Sequence, residues 1–593
     1  MESSEAPVKK IRKAIKEEPG KIKKISQAIT PPKKANGGGA PTKPVTAEDL
    51  AKRQREISVS EFFTKNRHLL GFDNPTRALL TAVKEAVDNS LDACEEAGIL
   101  PELLVKINQK AEDRFHVTVD DNGPGIVEAQ IGNIFGKLLY GSKFHSHKQA
   151  RGQQGIGISA VCLYGQLTTG KSMRITSKTG PDKQPHCFEV MIDSARNTPL
   201  CTKKTDGIKF SHDHGTRVEF EIEGRYIKGD KSVDEYIKQT VLANPHAKFV
   251  YDAPGTDGRI SFPRVSKTLP EQPREVLPHP YGVELGTLIK ILQSSKSRDL
   301  KGCLKKEFSR VSDRVADEIL KTSGLEGAMK PPEMTPEQFD KLFRAINKTK
   351  IMSPPTDCIS PIGEEQLLKT LNTHVKAEFY TTITRPPAVY RGNPFQIEIA
   401  IAYGVEGHPP DDHAIVHRYA NRVPLLYQPG ACALTKAVTE VDWKNYGISQ
   451  PKDGMPQGPM LVIVHMASVW VPFTSEAKEA VAHYPEILKE VKLGLQEAGR
   501  RASIHVRQKA RIAHQLKRRS IFERYIEELS SSLDELTRCG KEKVKSKLLK
   551  LAKSFTSQME KEDEELVNGG ATSPAAAARA AKPAKSEGEE ETQ

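Results

Sequence analysis

Three observations predict a multidomain α+β protein. The chain has 593 residues, several times the usual size of one domain. Its apolar residues change period along the chain: helical spacing over 76–96, strand alternation over 115–119 and 395–401, and helical spacing again after about 475. Hydrophobic residues make up 37% and charged residues 28%, which supports several buried cores and excludes a collagenous or wholly disordered chain.

The ends differ from the middle. Lysine and arginine number 89 against 76 acidic residues, a net charge of +13. Residues 1–55 hold 14 basic and 6 acidic side chains, so most of the excess lies there and the body is only mildly basic. Charge alone is therefore a weak pointer to nucleic acid. Residues 1–56 (Lys, Pro, Gly and Ala) and 561–593 (acidic runs with Ala and Pro) read as disordered tails. The Lys-rich start has no apolar signal core, and the longest apolar stretch, 461–473, is too short to span a bilayer. No membrane association is expected. Eight cysteines without a CxxC pair read as reduced thiols of an intracellular protein with no zinc site.

The first element with chemistry is a helix over 76–96. Asn74-Pro75 opens it, because Pro suits a first helical turn. Leu79, Leu80, Val83, Ala86, Val87 and Leu91 form one apolar stripe, and Glu85, Asp88, Asn89 and Asp92 occupy the other face. Glu85 and Asn89 are four apart and project side by side. A carboxylate there can take a proton from an attacking water, and a carboxamide oxygen can ligate a hard cation such as Mg²⁺. An ordinary solvated face would carry the same residues.

Two glycine-rich loops follow. The strand around Val117 runs into Asp120-Asp121-Asn122-Gly123-Pro124-Gly125, where Gly123 and Gly125 permit a tight turn against a flat ligand. Asp121 can accept a bond from an exocyclic amine, as on adenine; a plain Asx turn has the same composition. The second loop, Arg151-Gly152-Gln153-Gln154-Gly155-Ile156-Gly157-Ile158, leads into an apolar run that opens a helix. Amides at a helix start can cradle phosphate oxygens. The loop lacks the Gly-Lys-Ser/Thr ending of a Walker A loop and the glycine order of a Rossmann fingerprint. Between the loops, Gly141-Ser142-Lys143 offers a hydroxyl and an ammonium group, or simply a surface turn.

In combination these elements are far rarer than singly. Glu-x-x-x-Asn, Asp-x-Gly-x-Gly and Gly-x-x-Gly-x-Gly in that order, followed by His214-Gly215-Thr216 before a strand, resemble the GHKL ATPases. Within them, five segments resemble the topoisomerase VI B-subunit family: Ile57-Ser58-Val59-Ser60-Glu61-Phe62-Phe63, Gly71-Phe72-Asp73-Asn74-Pro75, the loop from Arg151 to Gly157, Asn421-Arg422-Val423-Pro424-Leu425-Leu426 and Trp443-Lys444-Asn445-Tyr446. The resemblance runs from Ile57 into the 550s.

It implies a GHKL (Bergerat) ATPase sandwich over 57–273, a helix-two-turn-helix insert over 274–352 and a transducer over 353–500. The transducer would be a four-stranded sheet backed by helices, of the ribosomal-S5-like α/β type. Helices over 501–560 would dock on the family's A subunit. By the same resemblance the cofactors are ATP and Mg²⁺. Glu85 is the general base, Asn89 the Mg²⁺ ligand and Asp121 the adenine reader. Ser142, Lys143 and the residues from Arg151 to Ile158 surround ribose and phosphates, and Thr216 also belongs to the nucleotide-binding set. A transducer lysine reaches the γ-phosphate; Lys478, at the start of a helix, is the first choice and Lys436 the second. The implied partners are the A subunit in an A2B2 heterotetramer, duplex DNA, and a second copy through ATP-dependent self-dimerisation, with residues 57–72 as a crossing strap. The implied activity is ATP-driven double-strand passage that relaxes and decatenates DNA, with DNA cleavage left to the A subunit. The Ala/Pro-rich end points to a cytoplasmic or nucleoid location in a prokaryote, and the Lys-rich start leaves a nuclear one as the alternative. A basic helix over 500–524, with Arg507, Lys509, Arg511, Lys517, Arg518 and Arg519, would touch DNA phosphates or form a solvated face. A chaperone or kinase of the same superfamily and a catalytically silent paralogue are the competing readings. The lack of a phospho-acceptor histidine box weighs against the first, and the intact motifs weigh against the second.

Overall fold

A computed structural model describes residues 47–551, except 55–56, 144–145, 153–154, 205–207, 209, 256–257, 476 and 539. Most of the two expected tails lies outside the described residues. Ahead of Ser58, the described residues Ala47–Arg53 form a short helix, α1, in a unit separate from the rest, where composition suggests disorder.

The unit from Ser58 onward holds the rest. Helix α2 (Val59–Lys65) is capped by Ser58, which accepts from the Glu61 amide at 3.1 Å. Helix α3 (Pro75–Glu96) starts as its sequence predicts, with Pro75 in the first turn and Asn74 Oδ1 accepting from the Arg77 amide at 2.9 Å. Leu79, Val83, Val87 and Leu91 are buried along one stripe. At roughly 2 kcal/mol each, that stripe contributes on the order of 8 kcal/mol of burial before entropy is subtracted.

Next come β1 (Glu102–Ala111), β2 (Arg114–Asp121), α4 (Glu128–Gly136), α5 (Gly157–Thr169), β3 (Met173–Lys178), β4 (His186–Asp193), β5 (Thr198–Lys204), β6 (Gly215–Glu223), α6 (Val233–Ala243), β7 (Lys248–Asp252) and β8 (Ile260–Phe262). The strands form one sheet in the order β5-β4-β3-β6-β2-β1-β7-β8, antiparallel except for the β1–β7 pair. Helices α3 to α6 pack on this sheet. The arrangement brings the end of β2, the start of β6 and the start of α5 to one side of α3.

A helical layer follows: α7 (Leu285–Ser294), α8 (Leu300–Glu307), α9 (Asp313–Ser323) and α10 (Pro336–Lys348). Leu288, Leu304, Ile319 and Leu342 share its core. The chain breaks between α8 and α9, and α9 begins only at Asp313. Arg310 takes a left-handed φ of 60°, and Ser312 caps the new helix.

The second sheet comprises β9 (Phe379–Thr384), β10 (Ala388–Tyr390), β11 (Asn393–Tyr403), β12 (Ile415–Ala420), β13 (Val423–Pro424) and β14 (Met460–Ser468), with α11 (Glu364–His374), α12 (Ala433–Glu440) and α13 (Pro485–Thr537) as its helices. It has six strands, not four; β10 and β13 are short edge strands. The alternation in β11 suggests a half-exposed strand, yet Glu398 is fully buried. Its carboxylate accepts from the amides of Ile362 and Gly363 (both 2.7 Å), from Thr384 Oγ1 (2.9 Å) and from His465 Nδ1 (2.7 Å). His465 Nε2 accepts from the Arg422 amide, so the proton sits on Nδ1 and the ring donates to Glu398.

The helical stretch expected from 475 starts ten residues later. A hairpin closed by the Phe473–Val481 bridge comes first, and Pro485 opens α13. Helix α13 then runs unbroken through residue 500, where a domain boundary was expected. Gly499 does not stop it; the glycine sits where a Cβ would lie 2.7 Å from the Tyr446 ring. Among the described residues, no helix is long and apolar enough to cross a membrane.

Candidate functional site

A cavity of about 600 Å³ opens between the first sheet's helices and the loops of the second sheet. That size is typical of a small-ligand site. Glu85, Asn89 and Ser90 reach it from α3, Asp121 from the end of β2, and Thr216 from the start of β6. Gly152, Gly155, Ile156, Gly157 and Ile158 bring the second glycine loop to it, and Ser142 and Lys143 border it. Leu425, Leu426, Tyr427 and Lys478 enter from the second sheet's side. Gln153 and Gln154 lie outside the described residues.

Asp121 is buried and held by three donors. Its Oδ1 accepts from the Gly123 amide (2.9 Å) and the Thr216 amide (3.1 Å), and its Oδ2 from Ser90 Oγ (2.8 Å). Burial raises its pKa to about 6 against the pull of those bonds. Oδ2 keeps acceptor capacity toward the cavity. Gly123 does not line the cavity; it supports Asp121, and its carbonyl accepts from His214 Nδ1 at 2.7 Å. Gly125 does line it. Its φ is +73°, and a Cβ there would lie 2.1 Å from the Lys178 carbonyl, so only glycine fits.

Helix α5 begins without a side-chain cap at Ile156. Its first amides therefore remain available at the cavity wall, a standard anion-binding feature. Gly157 is the tightest point. A Cβ there would come within 1.8 Å of Glu85 Oε2, so the carboxylate lies directly against the backbone of the helix start. Asn89 is exposed, four residues beyond Glu85 on the same helix.

The expected polar face of α3 is only partly solvated. Asp88 is buried and accepts from Tyr236 Oη at 3.1 Å; burial, with Lys84 opposing, raises its pKa to about 6. Asp92 is buried too. Burial works to raise its pKa, but Lys143 (2.6 Å) and Arg151 (2.7 Å) outweigh it and hold the carboxyl below its usual range.

Arg151, expected among the phosphate-surrounding residues, turns its side chain elsewhere. Its guanidinium is buried between Asp92, Glu95 (2.7 Å) and Asn244 Oδ1 (2.6 Å), and it is not among the cavity residues. The physical reason is the second acidic residue on α3: Asp92 and Glu95 are three apart and together capture the fork. Lys143 is likewise paired, with Asp92.

Lys478 lies in the hairpin loop and not on a helix. Its φ is +54°, and its Nζ donates to the Arg151 carbonyl at 3.2 Å, beside the second glycine loop. Lys436 is on α12, lies 3.8 Å from Glu440 and does not reach the cavity. The neighbouring backbone is tied to the second sheet. Gln149 exchanges two hydrogen bonds with Ser360 (2.7 and 3.1 Å), and Asn421 Nδ2 donates to the Ala150 carbonyl at 3.0 Å.

Sequence reasoning missed Ser90, Tyr236, Arg77 and Glu479. Ser90 had a signal, since it follows Asn89 and borders the same face. The others meet across long sequence separations that no local pattern marks. In the basic stretch of α13, Arg507 donates to the Asn445 carbonyl at 3.1 Å, and Lys509 is paired with Glu378 at 2.6 Å.

Comparison with known proteins places this geometry. The family described as "Histidine kinase-, DNA gyrase B-, and HSP90-like ATPase" matches residues 74–223, and "Topoisomerase VI B subunit, transducer" matches residues 354–518. The type 2 DNA topoisomerase 6 B subunit of Methanococcoides burtonii is 48% identical over 489 residues, covering 82% of this chain and 78% of its own. That of Archaeoglobus fulgidus is 47% identical over 464 residues, covering 78% and 76%. That of Pyrococcus furiosus is 39% identical over 557 residues, covering 86% and 96%. Identity at this level across most of both chains, together with an ATPase-type lobe followed by a transducer, means that the chain belongs to the type 2 DNA topoisomerase 6 B-subunit family.

Proposed function

We propose that the chain binds and hydrolyses ATP in this cavity as the B subunit of a topoisomerase that passes one DNA duplex through another. One observation carries the reading. A base-competent carboxylate, a carboxamide, a buried purine-reading carboxylate, an uncapped helix start and an ammonium group from a different sheet all converge on one cavity.

The residues fit magnesium-bound ATP. Asp121 offers acceptor capacity to an exocyclic amine, Ile126, Ile134 and Phe135 line an apolar wall for a flat ring, and the α5 amides suit phosphate oxygens. Mg²⁺, when bound, neutralises phosphate charge, and Asn89 would hold it. Glu85 accepts the proton of the attacking water on its carboxylate, which the Gly157 backbone keeps in place. Lys478 supplies positive charge from the transducer side, so nucleotide occupancy biases how the two regions meet.

The same reading gives the chain a separate A subunit that cuts and rejoins DNA, in an A2B2 assembly, and an ATP-dependent contact between two copies of this chain. Residues 57–72 would form the strap of that contact. Here α2 lies on its own chain, with Ser60 Oγ donating to Asn197 Oδ1 at 3.0 Å. DNA contacts are mainly to phosphates and salt-sensitive.

The test is ATP turnover with and without duplex DNA and the co-purified DNA-cleaving partner, alongside an ATP-dependent relaxation assay. Stimulation by both additions with relaxation of supercoils supports the proposal. Turnover indifferent to DNA and to the cleaving partner overturns it.

A further inference from the structure

The ammonium group that completes the cavity sits on a loop of the second sheet, and its neighbour in sequence has a different engagement. Glu479 is only 6% exposed. One of its carboxylate oxygens is ion-paired with Arg77 Nη2, and the other accepts from Gln428 Nε2 at 2.7 Å. Arg77 belongs to the first turn of α3, two helical turns before Glu85. Gln428 belongs to the second sheet's side. Glu479 is therefore gripped from both regions at once, and with both oxygens engaged it is not a free base.

Arg77 is itself preorganised. Its Nη1 pairs with Asp73 at 2.7 Å, and its guanidinium lies over the Tyr427 ring, 5.5 Å from the centroid. The loop it grips needs holding. Lys478 takes a left-handed φ of +54°, an uncommon region for a residue with a side chain. The loop's base is fixed by the Thr474 amide donating to the Ala480 carbonyl (2.9 Å) and by the buried Ala480 and Val481.

We infer that the Arg77–Glu479 pair is a clasp that holds the Lys478 loop in register with the helix carrying Glu85 and Asn89. The two are positioning residues: they act through Lys478 and do not touch the reacting atoms. The inference rests on the proposed nucleotide role of the cavity for its effect on turnover. The order it imposes on the loop is a separate property of the nucleotide-free chain.

The experiment uses the full chain and Glu479→Gln, which keeps the side-chain shape, with Lys478→Ala and the double variant completing a cycle. Amide hydrogen exchange of residues 474–482 is measured without nucleotide, and kcat and KM for ATP are measured in all four proteins. The clasp requires exchange at 474–482 at least tenfold faster in Glu479→Gln. Where Lys478→Ala itself slows turnover, it also requires kcat at least tenfold lower in Glu479→Gln with KM within threefold, and no further loss when Glu479→Gln is added to Lys478→Ala. Unchanged exchange overturns the clasp, as does an additive loss in the double variant, which would show action independent of Lys478. Wild-type turnover that Lys478→Ala leaves intact overturns the role assigned to Lys478, while the exchange result still decides the clasp.

Discussion

Ser90 Oγ donates to Asp121 Oδ2 at 2.8 Å, joining the helix that carries Glu85 and Asn89 to the strand end across the cavity. The bond fixes the distance between the two sides of the site and leaves Asp121 one direction in which to accept another donor. Burial raises this carboxyl to about 6. Nucleotide affinity is therefore expected to be flat above about pH 7 and to fall roughly tenfold per unit below 6, as the acceptor becomes protonated. The folded pKa lies above the unfolded value of 3.8, so ionised Asp121 opposes folding above pH 6 by on the order of 3 kcal/mol, a cost relieved between pH 6 and 4. Asp121→Asn should lose nucleotide binding without losing thermal stability. Calorimetry and a melting curve decide it, and retained affinity would remove Asp121 from the base-reading role.

Glu85→Gln keeps the size of the side chain and removes the proton acceptor. Nucleotide binding should stay within a few-fold of wild type while turnover falls by at least about 10²-fold. Single-turnover assays with bound nucleotide separate the two quantities. Turnover within a factor of three of wild type would sink the general-base assignment.

Gly157→Ala addresses the same carboxylate from the other side. The added Cβ would meet Glu85 Oε2 at 1.8 Å, so the carboxylate must swing away. Gly157 is the first residue of α5 and has no positive φ, so alanine suits the backbone and the fold should persist. We expect a loss of kcat approaching that of Glu85→Gln, with melting temperature nearly unchanged. Wild-type kcat would mean that the Glu85 position is not critical.

Local patterns made the site's own walls legible. Asn74-Pro75 marks the start of α3, the apolar stripe marks its buried face, and the glycine loops mark the turns at the end of β2 and the start of α5. Each of these depends on residues within about one helical turn or one strand. What lay beyond reach depends on distant partners. Arg151 reads as a phosphate ligand from its place beside the loop, but Asp92 and Glu95, more than fifty residues earlier, draw its guanidinium inward. Asp88 looks solvated until Tyr236 covers it, and Glu398 reads as the polar side of an alternating strand until the Ile362 and Gly363 amides before α11 and His465 on β14 engage it. The Lys478 loop resembles a helix start because its composition is helix-friendly, yet the Phe473–Val481 bridge pins it as a hairpin.

The Arg151 cluster gives the sharpest stability prediction. Arg151 satisfies the buried Asp92 and the half-buried Glu95, and Glu95 is held well below its usual range: burial works to raise it, and Arg151, His246 and Arg422 more than reverse that. In wild type, this contribution is fully present above the normal glutamate pKa and is lost only as pH falls through the depressed value. Arg151→Met keeps the volume but strands Asp92 and Glu95 with partial compensation from Lys143 and from His246 and Arg422. Removing one partner of a buried ion pair costs about 3–5 kcal/mol. Arg151→Lys should rescue little of this, because one ammonium cannot reproduce a fork that binds Asp92, Glu95 and Asn244 together. The pH signature is distinctive. Without the guanidinium, Glu95 titrates upward, and protonation of Glu95 or His246 on acidification restores neutrality, so the stability gap between variant and wild type should narrow from pH 7 to pH 5. Urea unfolding at both pH values measures that gap, and a gap that stays constant would mean the carboxylates find other partners once Arg151 is gone.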